Sequence, residues 1–356
     1  MNFLMNDFII TPDLCNYKCD YCLYKEAPDW EKNNNSNRIK TVYDKEGDNK
    51  DFFIKTKGIL EKYDSIFKTP ILRICGGELF YIKDIMSFIE QIHGNYETVQ
   101  IISNGHFLDD ELLSRIKNLN NCILHISLDG HTLELNSRRL KNGAYQDRLI
   151  NNIKNVIKMG IPLEIATCLT DANTKRYEEM VSYFYGLEGD VLLLPFPVRG
   201  EECKEFYPSS EDKEVFSRIL SYFDNYKEIL PPYKYLERLC SFFNDGRRRE
   251  GCHIPKAIIQ TFHNGDITAC CMDWSVKLGN ATKDLSCEIA DSICNCKMYN
   301  LYSLTPPRLA SCRTCFTVSE IINLYIDGQI SVEDLQKMKL FAGTESLKLV
   351  ESIKKI

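Results

Sequence analysis

No hydrophobic run in this chain reaches the length of a membrane span, which leaves no candidate for a bilayer-crossing helix within it. Charge of one sign is scarce too: 44 Lys and Arg stand against 50 Asp and Glu, a net charge of -6. That balance gives no electrostatic footprint for nucleic acid or an anionic membrane surface, so neither is expected as a partner. The longest basic run, Arg247-Arg248-Arg249, is flanked by Asp245 and Glu250 and reads as a solvated loop. A basic leader is also missing. The first residues, MNFLMNDFIITPDL, are apolar but carry Asp7 and no Lys or Arg, so they read as a first strand and not as an export signal. There is no tandem repeat, and the six histidines do not cluster.

What is abundant is cysteine, 16 in 356 residues. Without an export signal, that number argues for metal ligation in a reducing cytoplasm over a disulfide framework. The composition, 44% hydrophobic and 26% charged, is that of an ordinary globular protein, and the length fits one large domain plus a smaller one. A polar segment at about 31–50, containing Asn33-Asn34-Asn35, is expected to be a loop.

From residue 8 to about 198, short β-rich runs alternate with longer segments of helical period. Strands are expected at 8–11, 71–75, 98–103, 122–127, 163–168 and 191–196, and helices at 52–67, 82–93, 109–119, 145–159 and 174–185. This alternation predicts an α/β fold with a parallel sheet and helices outside, open or curled into a partial barrel. Ligand chemistry in such folds gathers at the carboxyl ends of the strands. From 201 to about 239, Phe216, Ile219, Leu220 and Phe223 recur at helical spacing and predict one or two connecting helices.

Just after the first expected strand, Cys15, Cys19 and Cys22 stand at C-x3-C-x2-C spacing within TPDLCNYKCDYCLY. Three thiolates from so short a loop can cap one face of a cubane iron–sulfur cluster, where a fourth would close it. The iron left open is a place for a ligand to bind. The second strand leads into Cys75-Gly76-Gly77-Glu78. Paired glycines let a backbone approach a ligand, and a carboxylate accepts from an ammonium group. The third and fourth strands end in Ser103-Asn104-Gly105 and Ser127-Leu128-Asp129-Gly130, small polar corners that also serve as plain turns. Arg138-Arg139 precede a helix start at Gly143-Ala144-Tyr145.

A second cysteine set begins at Gly251. Residues 257–262 and 267–269 flank His263-Asn264-Gly265-Asp266 and predict a β-hairpin. Closing that hairpin brings Cys252 near Cys270, with Cys271 beside it. Cys312 and Cys315 add a C-x2-C pair, and Cys252, Cys270, Cys312 and Cys315 together can complete a closed site for an iron–sulfur cluster or zinc. Cys271 is a spare ligand, a buried thiol or a hydrogen donor. Cys287, Cys294 and Cys296 match no such spacing. His131 and His253 adjoin the strand-four corner and a ligand cysteine, and the other histidines read as surface or core. Beyond Ser319 the chain should be helical, broken at Asp327-Gly328 and restarted at Ser331.

The first cysteine loop, with Tyr21 before its third cysteine, resembles the signature of the radical S-adenosylmethionine (SAM) superfamily. The second set resembles the auxiliary-cluster extension called SPASM, in its shortened twitch form because no cysteine follows Cys315. The resemblance covers about residues 5–320. It implies a partial (β/α)6 TIM-like barrel at 1–200, a helical connector at 201–240, a small hairpin-and-helix iron–sulfur domain of twitch/SPASM type at 241–320, and C-terminal helices at 321–356. It implies a 4Fe–4S cluster on Cys15, Cys19 and Cys22 whose open iron chelates SAM. Tyr21, Gly76 and Gly77 fall in its cofactor-binding strings, and Glu78 becomes the partner of the SAM ammonium. Ser127 is directed to the SAM carboxylate and Ser103 or Asn104 to the ribose, while one of Arg138 and Arg139 clamps the carboxylate with its fixed bidentate fork. A second 4Fe–4S cluster would sit on Cys252, Cys270, Cys312 and Cys315.

The chemistry implied is one-electron cleavage of SAM to methionine and a 5′-deoxyadenosyl radical that takes a hydrogen from the substrate. A peptide is the leading substrate class, for oxidation, crosslinking or epimerisation, the last with Cys271 as hydrogen donor. The alternative is dehydrogenation or epimerisation of a small molecule such as an aminosugar. A chain opening at its first strand is expected to carry no peptide-recognition domain of its own. A flavodoxin or ferredoxin is the expected reductant. A different class, a non-catalytic iron–sulfur electron carrier or zinc scaffold, has no use for Glu78 or Ser127.

Overall fold

The computed structural model describes residues 3–12, 14–22 and 50–354. The loop expected at 31–50 lies outside the described residues, save for Lys50, which opens the first helix.

Six strands follow the expected alternation: β1 (Met5–Ile10), β2 (Ile71–Gly76), β3 (Thr98–Ser103), β4 (Cys122–Ser127), β5 (Leu163–Leu169) and β6 (Val191–Pro197). Between them run α1 (Lys50–Ile66), α2 (Ile85–Ile92), α3 (Asp110–Lys117), α4 (Gly143–Lys158) and α5 (Tyr177–Tyr185). Local chemistry sets the helix starts. Asp109 accepts from the Leu112 amide to begin α3, and Asn142 accepts from the Tyr145 amide to begin α4. Neighbouring strands from β1 to β6 pair in parallel, giving an open partial barrel with helices on its outside.

Strand alternation sends one set of side chains to the helices and the other inward. Phe8, Ile74, Ile101, Leu124 and Ile165 join the main core, where Phe8 meets Tyr63 of α1 with ring centroids 6.3 Å apart. Each such side chain buried contributes roughly 1.5–3 kcal/mol. The inward face carries a buried polar belt. Asp7 and Arg73 are register partners joined by two 2.7 Å hydrogen bonds. Further round, the Gln100 amide donates to Glu164 Oε2 at 2.6 Å, and His125 Nδ1 lies 3.1 Å from the same oxygen.

The expected hairpin is β7 (Ile258–Phe262) and β8 (Asp266–Thr268), joined by β9 (Lys277–Asn280). These strands continue the barrel's own sheet, in the order β6-β5-β4-β3-β2-β1-β7-β8-β9. β7 pairs in parallel with β1 from Met5↔Ile258 to Ile9↔Phe262, and β7–β8 and β8–β9 are antiparallel. Lys62 of α1 fastens the far side by donating to the Ala281 and Asp284 carbonyls at 2.6 and 2.7 Å. The second cysteine set is therefore built directly beside the strand that leads into the first.

Two expectations need correction. The connector is more broken than one or two helices: Ser210–Ser217, Phe223–Tyr226 and Tyr233–Asp245 are separate, and Pro231-Pro232 cannot continue a helix into the last. The triple arginine is not a solvated loop. Arg248 is only 6% exposed and pairs with fully buried Glu320, while Arg247 and Arg249 stay outside. At the C-terminus the helix Glu320–Ile326 stops at Gly328, whose φ is +69, and Ser331 caps Val332–Leu335. Among the described residues no helix is long and apolar enough to cross a membrane.

Candidate functional site

The first cysteine loop leaves β1 through Thr11, a β-branched residue held at φ +42, a conformation that costs about 1–3 kcal/mol and must be imposed by its surroundings. Gly76 and Gly77 leave room for the loop that follows it. A Cβ on Gly77 would stand 2.2 Å from the Leu14 carbonyl oxygen, and one on Gly76 would stand 1.9 Å from that of Ile10. The Gly77 amide donates to the Thr11 carbonyl at 3.3 Å and the Glu78 amide to that of Leu14 at 2.8 Å. The glycine pair thus receives the backbone of the cysteine loop, and these two amides are spent on it and not left open to an anion.

Cys15 is exposed and Cys19 and Cys22 are half-buried, with all three thiols in electrostatic range of one another. Burial pushes the Cys19 thiol up to about 11, against the pull of Arg139. Donors surround the sulfurs: the Tyr17 amide lies 3.4 Å from Cys15 Sγ, and the Asn104 amide nitrogen and Arg139 Nη1 each lie 3.9 Å from Cys15 and Cys19 respectively. Three thiols from one loop, with donors aimed at them, suit an iron–sulfur cluster. Among the described residues no three His, Cys, Asp or Glu side chains converge tightly enough for a single metal ion.

Around the loop the strand ends close in. Glu78 is fully buried and accepts from Ser103 Oγ at 2.8 Å and from the Phe80 and Asn104 amides at 3.1 and 2.6 Å. Burial pushes its carboxyl up to about 7, against the pull of those donors. Asn104 donates to Asn16 at 2.7 Å, so Ser103 and Asn104 are drawn into the cysteine loop and the Glu78 carboxylate. Ser127 is half-buried at the end of β4.

The two arginines separate. Arg138 forms a bidentate pair with Asp171, at 3.0 and 2.5 Å, and rests on the Phe206 ring. Arg139 points the other way, its side chain 10% exposed, lying over the Tyr21 ring and 3.4 Å from Asp129. Tyr21 also donates to Asp129, which takes a third bond from the Cys168 amide at 3.0 Å. Asp129 was not singled out from sequence, although it sits in the Ser-Leu-Asp-Gly corner. His106, read as surface or core, is buried against Tyr17 with its Nδ1 3.3 Å from the hydroxyl. His131 instead stacks on Tyr183, and His253 pairs with Asp327 at 3.1 Å.

The second set converges as the hairpin requires. Cys252 lies in electrostatic range of Cys270 and Cys315, and Cys312 in range of all three. Burial raises the Cys252 thiol and pushes that of Cys312 up to about 12. Four thiols drawn from three distant segments match the donor set of a closed cluster. Asn323 reaches Cys252 Sγ at 3.8 Å, Arg199 Nη1 reaches Cys315 Sγ at 3.8 Å, and the Met272 amide reaches Cys270 Sγ at 3.4 Å. Cys271 is buried and hydrogen-bonded to Cys270, with Asp7 and Arg73 of the inward belt in electrostatic range. Cys287 and Cys294 are exposed and Cys296 half-buried.

Comparison with known proteins agrees with this geometry. The family model of the Radical SAM superfamily matches residues 9–184. A protein of Methanocaldococcus jannaschii, a probable GTP 3′,8-cyclase, is 26% identical over 214 residues, 58% of this chain and 65% of that protein. The chain therefore spans just under two thirds of that relative's length. Streptococcus suis SuiB bound to S-adenosylmethionine aligns at TM-score 0.57 and 16% identity, covering 83% of this chain and 65% of SuiB. The enzyme anSMEcpe with bound AdoMet aligns at TM-score 0.54 and 15% identity over 98% of this chain and 99% of that one. At such identities the likeness to both structures lies in the fold. With a cysteine loop cradled by paired glycines at the carboxyl end of a parallel sheet, and a family model that matches residues 9–184, the chain carries a radical SAM superfamily domain.

Proposed function

We propose that this chain is a two-cluster radical SAM oxidoreductase that modifies a peptide. The observation that carries the reading is the convergence of Cys252, Cys270, Cys312 and Cys315 on a hairpin paired to β1, beside the strand that feeds the first cysteine loop. An electron carrier needs no SAM-binding strand ends, and a one-cluster enzyme needs no second closed set. When bound, the first cluster and SAM supply a 5′-deoxyadenosyl radical.

The chain's own residues hold and aim that chemistry. Cys15, Cys19 and Cys22 anchor the cluster, Glu78 takes the SAM ammonium, and Ser127 with Arg139 takes its carboxylate. Ser103 and Asn104 set the loop's position from the ribose side. Tyr21 and Asp129 fix the Arg139 fork. Cys252, Cys270, Cys312 and Cys315 would hold the second cluster, which would supply a one-electron acceptor for an oxidation in which the substrate loses a hydrogen atom, an electron and a proton. In an epimerisation Cys271 would return a hydrogen atom to the substrate carbon, and the thiyl radical left behind would be restored by one electron from the reductant and one proton. A flavodoxin or ferredoxin supplies the reducing electron.

Support for a peptide comes from neighbours in fold: SuiB is known bound to the precursor peptide SuiA, and anSMEcpe bound to AdoMet and a peptide. The M. jannaschii relative, by its name a probable GTP 3′,8-cyclase, favours a small-molecule substrate as the second reading. The test is anaerobic reconstitution with SAM and dithionite, in wild type and in a Cys312→Ala/Cys315→Ala variant. Wild type should bind iron for two cubanes and yield 5′-deoxyadenosine and methionine, and the variant should lose about half of the iron. Two loaded clusters without either product would refute the radical reading. Equal iron in both proteins would refute the second cluster.

A further inference from the structure

Two guanidinium groups approach the second cysteine set, while the Asp273 carboxylate acts on Cys270 through space. Arg199, just beyond β6, places Nη1 3.8 Å from Cys315 Sγ. Arg248 is buried, and its backbone amide donates to the Arg313 carbonyl inside the C-x2-C turn at 2.6 Å. Its guanidinium pairs with Glu320 and lies in electrostatic range of the Cys252 thiol. Glu320 does not neutralise it alone, because the same carboxylate takes Arg238 at 2.8 Å. Asn323 adds a neutral donor to Cys252 at 3.8 Å. Among the described residues of the first loop, the Arg139 guanidinium is engaged by Asp129, and the buried Glu78 carboxylate acts on Cys15 through space.

We propose that Arg199 and Arg248 set the reduction potential of the auxiliary cluster, holding it above that of the SAM-binding cluster so that electrons run from the substrate toward the second site. A cluster with four thiolates is anionic, and each added electron is favoured by hydrogen-bond donors and positive charge at the sulfurs and opposed by carboxylates. The proposal rests on the reading of Cys252, Cys270, Cys312 and Cys315 as cluster ligands. It also accounts for a buried guanidinium beside a thiol, an arrangement that becomes favourable once a metal holds that sulfur as thiolate. Arg199 and Arg248 are positioning residues in this scheme and touch no substrate.

The experiment is a potentiometric titration followed by electron paramagnetic resonance, on the reconstituted full chain with SAM bound to shift the first cluster's signal. Arg199→Gln, Arg248→Gln, Arg248→Lys and exposed Arg247→Gln are compared with wild type, each with its iron content. Arg199→Gln and Arg248→Gln should each lower the auxiliary midpoint by about tenfold in the reduced-to-oxidised ratio, about 59 mV for a one-electron couple. Arg248→Lys should recover most of the shift, and Arg247→Gln should cause none. The first cluster's midpoint should not move. Arg248 is buried, so a Gln variant that fails to load is judged by Arg199→Gln and Arg248→Lys. A fully loaded Arg199→Gln with the wild-type midpoint overturns the proposal. Wild type holding iron for only one cubane overturns the two-cluster reading instead, and the iron count tells the two failures apart.

Discussion

A single methyl group at Gly77 should dislodge the first cysteine loop. The added Cβ would lie 2.2 Å from the Leu14 carbonyl oxygen and 2.6 Å from its carbon, both backbone atoms that no rotamer change can move. Relief requires the loop to withdraw by roughly 1 Å, a backbone shift that costs about 1–3 kcal/mol. Withdrawal also breaks the bonds from the Gly77 and Glu78 amides to Thr11 and Leu14, about 1 kcal/mol each. The total of about 3–5 kcal/mol is a large part of a typical folding free energy. Gly77→Ala should therefore lower the denaturant midpoint of the apo-chain and reduce the iron taken up by the first site. Gly58→Ala is the control. Gly58 is exposed on α1 with nothing within 4 Å of its Cβ position, so alanine there should stabilise the chain by about 1 kcal/mol. A Gly77→Ala protein with wild-type midpoint and iron content would show that close approach of the two backbones is not what holds the loop.

Two further outcomes follow from buried charge. Asp7→Ala leaves the Arg73 guanidinium without its bidentate partner and should cost about 3–5 kcal/mol, whereas Asp7→Leu/Arg73→Met should cost much less; equal losses in denaturant titrations would contradict this. The Glu78 carboxyl is raised from 4.5 to about 7, so the stability tied to its protonated form is complete below pH 4.5 and is lost as pH rises through about 7. Glu78→Gln should flatten the stability profile in that window. SAM binding should run the other way in the wild type, strengthening over the same interval as the carboxylate forms, and a pH-independent affinity measured by calorimetry would remove Glu78 as the ammonium partner.

Much of the barrel was legible because its signals are local. Strands 98–103 and 122–127 were bounded by apolar alternation and came out at those limits, and the helix starts expected at Asp109 and at Gly143-Ala144-Tyr145 lie at or next to the capping residues Asp109 and Asn142. The convergence of Cys252 with Cys270 was legible for a related reason, since a hairpin ties its two ends together by turn chemistry alone. Arg248 shows the limit. Three arginines between Asp245 and Glu250 read as a solvated surface, because the carboxylate that makes burial tolerable, Glu320, is more than seventy residues away. Asp129 was passed over for the same reason, since its partners Tyr21, Arg139 and the Cys168 amide come from separate segments.

Sequence alone determined the elements of this protein and the types of ligand it offers, because periodicity, caps and cysteine spacing are properties of neighbouring residues. Tertiary structure alone decided three other things: that β7 lies beside β1, that the glycine pair serves the backbone of the cysteine loop, and that one of two adjacent arginines turns inward. Each depends on contacts between segments far apart in the chain, where burying a polar group is favourable only if a distant partner arrives to satisfy it.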